Sequence, residues 1–361
     1  MELMKESPLT NLHRRLGAEM AEEEGWNMPQ QYADLVQEHL TARTACGLFD
    51  ISHLGKFRLL GNGAMQWLEE KLTNSIADCC DGHVQHSLML RPNGTILDRM
   101  TLFRESAGRF FLTGAASLAD TDFDILQRML HDDSLELKNE TDLLCAMALS
   151  GTQAGQIMGE ICELPELPRP GCFSVIRQGK KRFIVSRGEL VAQDSYEFFC
   201  PAAEGIKWFE NFMRSGAIPC GSRTREYLRI SRGWSDINRD MSSLTPAQAA
   251  LSHLCAEDKH YTGRDSLVRR EDDSQKIIFL RCDSPELAPQ PGSKVQNLDG
   301  KIVGSVTSAT PPLSHEYGYA LAYVSSPHDE PGTHLHVMVN GEQIPATVRT
   351  PDKPRSAGET Q

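Results

Sequence analysis

Apolar positions in the first third of the chain follow two rhythms. Leu9, Leu12, Leu16 and Met20 recur at helical spacing over residues 7–20, with Gly17 as a local break. A second helical stretch covers 34–43, with Leu35, His39 and Leu40 on one side. Between them, Glu22, Glu23 and Glu24 read as a solvated loop or helix end, and 25–29 as a packed corner holding Trp26 beside Pro29. Residues 57–60 form a strand that stops at Gly61-Asn62-Gly63, and 64–72 a short amphipathic helix through Met65, Leu68 and Leu72. Two apolar runs, Leu88-Met89-Leu90 and Thr95-Ile96-Leu97, then flank Pro92-Asn93-Gly94, a signal for a tight hairpin. The return strand continues through Met100-Thr101-Leu102-Phe103. A strand at 109–112 follows, then a helix over 117–130 with Phe123, Leu126 and Leu130 in register. This order of elements predicts a split antiparallel α+β arrangement, ferredoxin-like rather than doubly wound.

The middle of the chain repeats that character. An apolar run at 143–149 precedes a helix at 154–161, and strands are expected at 172–176, 182–186 and 196–201. A helix over 205–215 carries Trp208, Phe209 and Phe212 as core residues, and a helix over 222–231 carries Arg225 and Arg229. After a polar linker at 271–275 come short strands at 276–281, 294–297, 302–305, 319–324 and 335–339. Turn pairs such as Pro291-Gly292, Asp299-Gly300 and Asn340-Gly341 separate them, which predicts a separate small barrel or sandwich. The expected division is one region of two interleaved α+β domains at 1–270, a β-barrel domain at 276–350, and a disordered tail at 351–361.

Composition narrows the function classes. With 37 basic against 49 acidic residues the formal charge is −12, which disfavours a general nucleic-acid or anionic-membrane surface but leaves room for a local basic pocket. The ten cysteines are scattered without a Cys-x-x-Cys pair, as expected of reduced thiols packed as small hydrophobes. Residues 1–6 lead into no apolar leader segment, and no run approaches a membrane span, so a soluble, cytoplasmic protein is expected. His83 with His86, and His334 with His336, lack a third ligand nearby in sequence, so no metal is expected. Asp98, just past the hairpin, is either a solvated strand end or a carboxylate held over a pocket.

Several short motifs, taken in order, resemble the aminomethyltransferase (T-protein) family of the glycine cleavage system. They are Ser7-Pro8-Leu9, Gly25-Trp26-x-Met28-Pro29, Arg43, Gly47-Leu48-Phe49-Asp50 with Ser52-His53, Gly94-Thr95-Ile96-Leu97-Asp98, and Ser186-Arg187 with Asp194, Glu197 and Pro201. Further on they are Arg225, Leu228, Arg229, Gly233, Asp240, Thr245-Pro246, Gly263-Arg264, Gly304-x-Val306-Thr307-Ser308 and Ala320-Leu321-Ala322-Tyr323-Val324. The resemblance implies three domains in a cloverleaf around a central folate channel. The chain departs from the family pattern at Arg99, usually a second Asp; at Gly114, usually Asn; at Leu190-Val191-Ala192-Gln193; at Ser231; and at Ile237-Asn238-Arg239. His86 stands where an aromatic is usual.

What the resemblance implies for chemistry is specific. Tetrahydrofolate offers a guanidine-like pterin edge, two reactive amines and an anionic glutamate tail. Glu197 matches the residue that takes the pterin edge through a forked pair of hydrogen bonds. Arg225 matches the tail cation, His86 borders the channel, and Asp98 is the expected catalytic carboxylate, by charge stabilisation or general-base help. The leading expectation is an enzyme that takes an aminomethyl group from a lipoyl-bearing carrier (H-protein) and forms 5,10-methylenetetrahydrofolate and ammonia. Alternatives are a folate-dependent demethylase of a small methylated compound and a non-catalytic folate-binding protein of the iron–sulfur repair type. For the last, Lys259-His260-Tyr261-Thr262-Gly263 echoes the signature without its cysteine.

Overall fold

The computed structural model describes residues 4–188, 195–268, 275–313 and 317–351. Two sheets form the centre. One has five strands in the order Val84–Leu90, Ile96–Ser106, Arg109–Gly114, Gly55–Leu60 and Glu136–Asn139. The other has six, in the order Cys172–Gln178, Lys181–Gly188, Ser195–Pro201, Leu144–Ser150, Gly47–Asp50 and Ile218–Pro219. Each sheet buries one face under helices. Ala64–Lys71 and Ala119–Met129 cover the first through Trp67, Leu68 and Leu126 against Phe57, Leu59, Met100 and Leu102. Thr10–Arg15, Ala154–Cys162 and Gly205–Arg214 cover the second, where Trp208, Phe209 and Phe212 meet Met147, Phe198 and the small thiols Cys145 and Cys200.

The remaining faces pack on each other. Phe103 and Phe111 of the first sheet meet Phe173 and Phe199 of the second, with ring centroids 5.1 to 5.7 Å apart in tilted and edge-on arrangements. Such geometry sets the positive ring edge of one aromatic against the face of the next. The result is helix, sheet, sheet, helix, the α+β layering expected from the sequence.

The C-terminal strands close a barrel in the order Gln275–Cys282, Gly318–Ser325, Ile302–Thr310, Lys294–Gln296, His334–Val339 and Glu342–Arg349. Glu342–Arg349 has no counterpart in the sequence expectation, because Pro345 argues against a strand. It is this strand that closes the barrel, pairing with both His334–Val339 and Gln275–Cys282. Apolar residues of the barrel's outer face, Ile277, Phe279 and Leu321, dock onto Leu88, Leu90 and Ile96 of the hairpin and onto Ile237, Met241 and Leu244. A charged network reinforces this junction. Asp240 Oδ2 takes Arg229 Nη1 at 2.9 Å and the Asp236 amide at 2.7 Å, while Oδ1 takes the hydroxyls of Thr307 (2.6 Å) and Ser308 (2.7 Å). Adjacent strand residues ordinarily face opposite ways; a bulge between Val306 and Ser308 lets both hydroxyls reach one oxygen.

The N-terminal expectations need correction. Only Thr10–Arg15 is helical, and Gly17 takes a left-handed φ of +80° just beyond it. The acidic run is not a solvated loop: Glu19–Glu23 is a strand paired with Trp26–Gln31, which is itself a strand rather than a corner. Gly47–Asp50 escaped the periodicity reading because all four residues are buried and no alternation remains. Of the expected 271–275 linker, 271–274 lies outside the described residues and Gln275 opens the barrel. The expected tail, beyond Pro351, also lies outside the described residues.

Asp50 anchors the N-terminal segment to the six-stranded sheet. It is buried and accepts from the Ser7 hydroxyl, from His13 Nε2 at 2.9 Å and from the Ser52 amide at 2.8 Å. Although burial pushes its pKa up, the hydrogen bonds and the His13 interaction win and hold it at about 2. A carboxylate with a depressed folded-state pKa stabilises above its ordinary value and loses that contribution as pH falls through the folded value. Asp50→Ala should therefore cost roughly 3 kcal/mol at neutral pH. In urea titrations the gap between the native chain and the variant should shrink as pH drops from 3.8 towards about 2; a gap constant across that window would contradict the assignment.

Candidate functional site

A cavity of about 860 Å³ opens where the two sheets, the loop after Ile230 and the barrel meet. Its size is in the range of small-ligand and cofactor sites. His86, Asp98, Arg99, Thr101, Arg225 and Arg229 are all on its wall.

The hairpin sets the first part of the wall. Its turn uses Gly94 at φ +82°, and the Asn93 side chain caps the Thr95 amide and hydroxyl. The register slips beside it, so that Met89 pairs with Asp98 and Leu90 with Ile96, leaving Leu97 as the extra residue. Bulges of this kind re-aim the side chains next to them. Beyond it the strand alternates: Met100 and Leu102 go under the helices, whereas Phe103 faces the other sheet. Asp98 therefore lies on the helix side and touches the cavity from its rim, at 1% exposure. Arg99 and Thr101 lie on the cavity side. Thr101 pairs across the ladder with His86, whose Nδ1 is 3.1 Å from the Thr101 hydroxyl. Burial, then the nearby charge of Arg99, lowers the His86 pKa to about 4, so its ring is neutral at neutral pH.

Asp98 is held by the Arg99 amide at 2.7 Å and the Ala115 amide at 2.9 Å. Against it stands Asp122, from the helix Ala119–Met129, with 0% exposure and no hydrogen-bond donor on either carboxyl oxygen among the described residues. Gly114 makes room for the approach: a Cβ there would sit 2.6 Å from Asp98 Oδ2 and 3.4 Å from Asp122 Oδ2. Two facing carboxylates without a cation between them repel, so the pair retains a proton. Burial first, and then the Asp98 charge, pushes Asp122 up to about 10. Burial pushes Asp98 up as well, and the two carboxyls share the proton. Sequence reasoning missed Asp122, though a signal existed: it shares a helical face with the buried Ala119 and Leu126.

On the opposite side the helix Ser222–Ile230 presents Arg225 and Arg229 one turn apart. Both are committed. Arg225 Nη2 pairs with Glu23 and Nη1 meets His53 Nε2 at 2.9 Å. Burial raises Glu23, but the Arg225 charge and its other partners bring it down to about 2, so this ion pair persists at neutral pH. Burial lowers His53 to about 3, leaving it neutral. Arg229 is bound by Glu226 (2.7 and 2.8 Å), Asp240 and Ser308. Glu23 was the second partner missed, hidden in what read as a solvated acidic run.

Glu197 is in the strand Ser195–Pro201 at 1% exposure, accepting from the hydroxyls of Ser186 and Ser195. It is not itself on the wall. Gly188 is, and a Cβ at Gly188 would lie 2.5 and 2.8 Å from the two Glu197 oxygens. Glycine thus adds no side chain of its own between that carboxylate and the cavity. The structure brings Asp98, His86 and Arg225 onto one cavity and sets Glu197 one layer behind it. Leu190, Val191, Ala192 and Gln193 lie outside the described residues. Among those described, no group of three or more His, Cys, Asp or Glu is arranged to hold a metal, and no helix is long and apolar enough to cross a membrane.

Comparison with known proteins agrees with this architecture. Residues 9–259 match the GCVT N-terminal domain and 275–352 the glycine cleavage T-protein C-terminal barrel domain. The chain belongs to the glycine cleavage T-protein family. Among relatives of the T-protein family, an aminomethyltransferase of Chlorobium chlorochromatii is 32% identical, over 96% of this chain and 97% of that protein. One from Chloroherpeton thalassium is 29% identical over 96% and 98%. The crystal structure of the glycine cleavage system aminomethyltransferase T from Bartonella henselae superposes with a TM-score of 0.89 at 25% identity, covering 96% of this chain and 97% of that one.

The shared proton makes a direct prediction. Infrared spectra at neutral pH should show the C=O stretch of a buried protonated carboxyl that disappears in Asp122→Asn, whose amide still donates to Asp98. Asp122→Asn should keep near-native stability, whereas Asp122→Leu, which removes the donor, should cost roughly 1–3 kcal/mol. A native spectrum without that band would contradict the assignment.

Proposed function

We propose that the chain is a tetrahydrofolate-dependent aminomethyltransferase: it takes an aminomethyl group from a lipoyl-bearing carrier protein of the H-protein type and yields 5,10-methylenetetrahydrofolate and ammonia. The observation that carries this reading is a buried, donor-supported carboxylate, Asp98, at the rim of a ligand-sized cavity. That the relatives are named aminomethyltransferase supports it over the demethylase and iron–sulfur repair readings.

The cavity suits a folate on three counts. Its volume admits a drug-sized ligand. Gly188 puts no side chain of its own between Glu197 and the cavity, which suits a carboxylate that takes a pterin edge. The wall also carries cationic side chains for an anionic tail. Tetrahydrofolate supplies the nucleophilic nitrogens that accept the one-carbon unit. In this reading Glu197 orients the pterin and His86, neutral, borders the ring system. Asp98 stabilises positive character as it develops on the transferred carbon, in a site that water enters poorly. Its hydrogen bonds from two backbone amides and Asp122 fix it in place beforehand, so little reorganisation accompanies the reaction. Arg225 remains on the wall as a tail contact, with its charge already balanced by Glu23.

Asp98→Asn tests the assignment. It should retain tetrahydrofolate binding and lower transfer from an aminomethyl-loaded carrier by about 100-fold or more. Turnover within a few-fold of the native enzyme would remove Asp98 from the mechanism.

A further inference from the structure

On the cavity wall, Arg99 has no charged partner among the described residues. Arg99 projects from the cavity side of the hairpin strand. Of the arginines around it, Arg225 is neutralised by Glu23, and Arg229 by Glu226 and Asp240. Among the described residues no carboxylate lies within ion-pairing distance of the Arg99 guanidinium, and no side-chain hydrogen bond fixes it. Its one contact of that kind runs from its backbone amide to Asp98.

The acids nearest to it are occupied elsewhere. Asp98 turns to the helix side and spends its oxygens on two amides and the Asp122 proton. Asp236 Oδ1 accepts the amides of Asn238 and Arg239, both at 2.9 Å. Burial costs the Arg99 charge part of its hydration, and Asp236 and Asp98 offset this from a distance, while Arg229 works against it. A guanidinium stays charged at any physiological pH, so the deficit is met by an anion rather than by loss of a proton.

We infer that Arg99 is an anion subsite of the cavity and that it takes a carboxylate of the bound ligand through its planar fork. The inference rests on the folate reading and sharpens it. Arg225 was the expected partner for the glutamate tail, yet its charge is spent on Glu23; Arg99 offers a guanidinium with no such partner. Two sources can supply the carboxylate: the glutamate of the folate, or a small carboxylate-bearing molecule bound beside the pterin. A forked guanidinium matches both equally.

The test is calorimetric titration of the full chain and of Arg99→Gln and Arg99→Lys. The probes are tetrahydrofolate; 6-methyltetrahydropterin, which lacks the whole p-aminobenzoylglutamate and so carries no carboxylate; and glycine added to the 6-methyltetrahydropterin complex. If the tail is the partner, Arg99→Gln weakens tetrahydrofolate about 10- to 100-fold and leaves 6-methyltetrahydropterin unchanged. If a separate small carboxylate is the partner, tetrahydrofolate is unaffected and glycine binds the native complex but not the Arg99→Gln one. In either case Arg99→Lys, which keeps the charge and loses the fork, falls between native and Gln. Equal tetrahydrofolate affinity in native and Arg99→Gln chains, with no glycine response in either, overturns the inference and leaves the folate reading intact. Failure of both pterins to bind the native chain overturns the folate reading and this inference with it.

Discussion

The face-to-face contact of the two sheets is the constraint on which the site depends. Phe103, Phe111, Phe173 and Phe199 interlock as edge and face, and such contacts tolerate little sliding. Asp98 lies five residues upstream of Phe103 on one strand, and Glu197 two residues upstream of Phe199 on another. Fixing the aromatic pair therefore fixes where the two carboxylates sit relative to each other. The barrel then closes the third side, through an apolar seam against the hairpin and the Asp240 network.

The arrangement of charge in the cavity follows a simple economy. Carboxylates that would meet one another are separated by a proton, as at Asp98 and Asp122. Arginines that structure the walls are matched by acids from other elements: Glu23 from the N-terminal sheet, Asp240 from the loop after the arginine helix. Each match ties distant segments of the chain to the same cavity. Arg99 stands apart: among the described residues no acid is paired with it.

The sequence was informative wherever one face of an element is wet and the other dry. The helices carrying Phe123 and Leu126, or Trp208 and Phe212, were visible because their polar sides remain in solvent. Reading failed where burial was complete or where polar residues turned inward. Gly47–Asp50 has no exposed face to create alternation. The acidic residues 22–24 look solvated until one sees Glu23 meeting Arg225 inside. Asp98 was legible as a candidate from its place after the hairpin, but its direction was not. A register slip at Leu97 decides which of two adjacent residues enters the cavity, and slips leave no mark in composition. Asp122 needed the third dimension as well, because its role depends on a glycine eight residues before it being small.

The bulge in the barrel strand carries a further implication. Thr307 and Ser308 can grip the same oxygen of Asp240 only because one residue is inserted at that point, so the barrel's fit to the rest of the molecule is encoded in the length of a strand as well as in its surface. A homologous barrel exchanged into this chain without the additional residue would turn one of those hydroxyls away, loosen Asp240 and, through Arg229, unsettle the far wall of the cavity. The C-terminal unit is thus less interchangeable than its closed shape suggests.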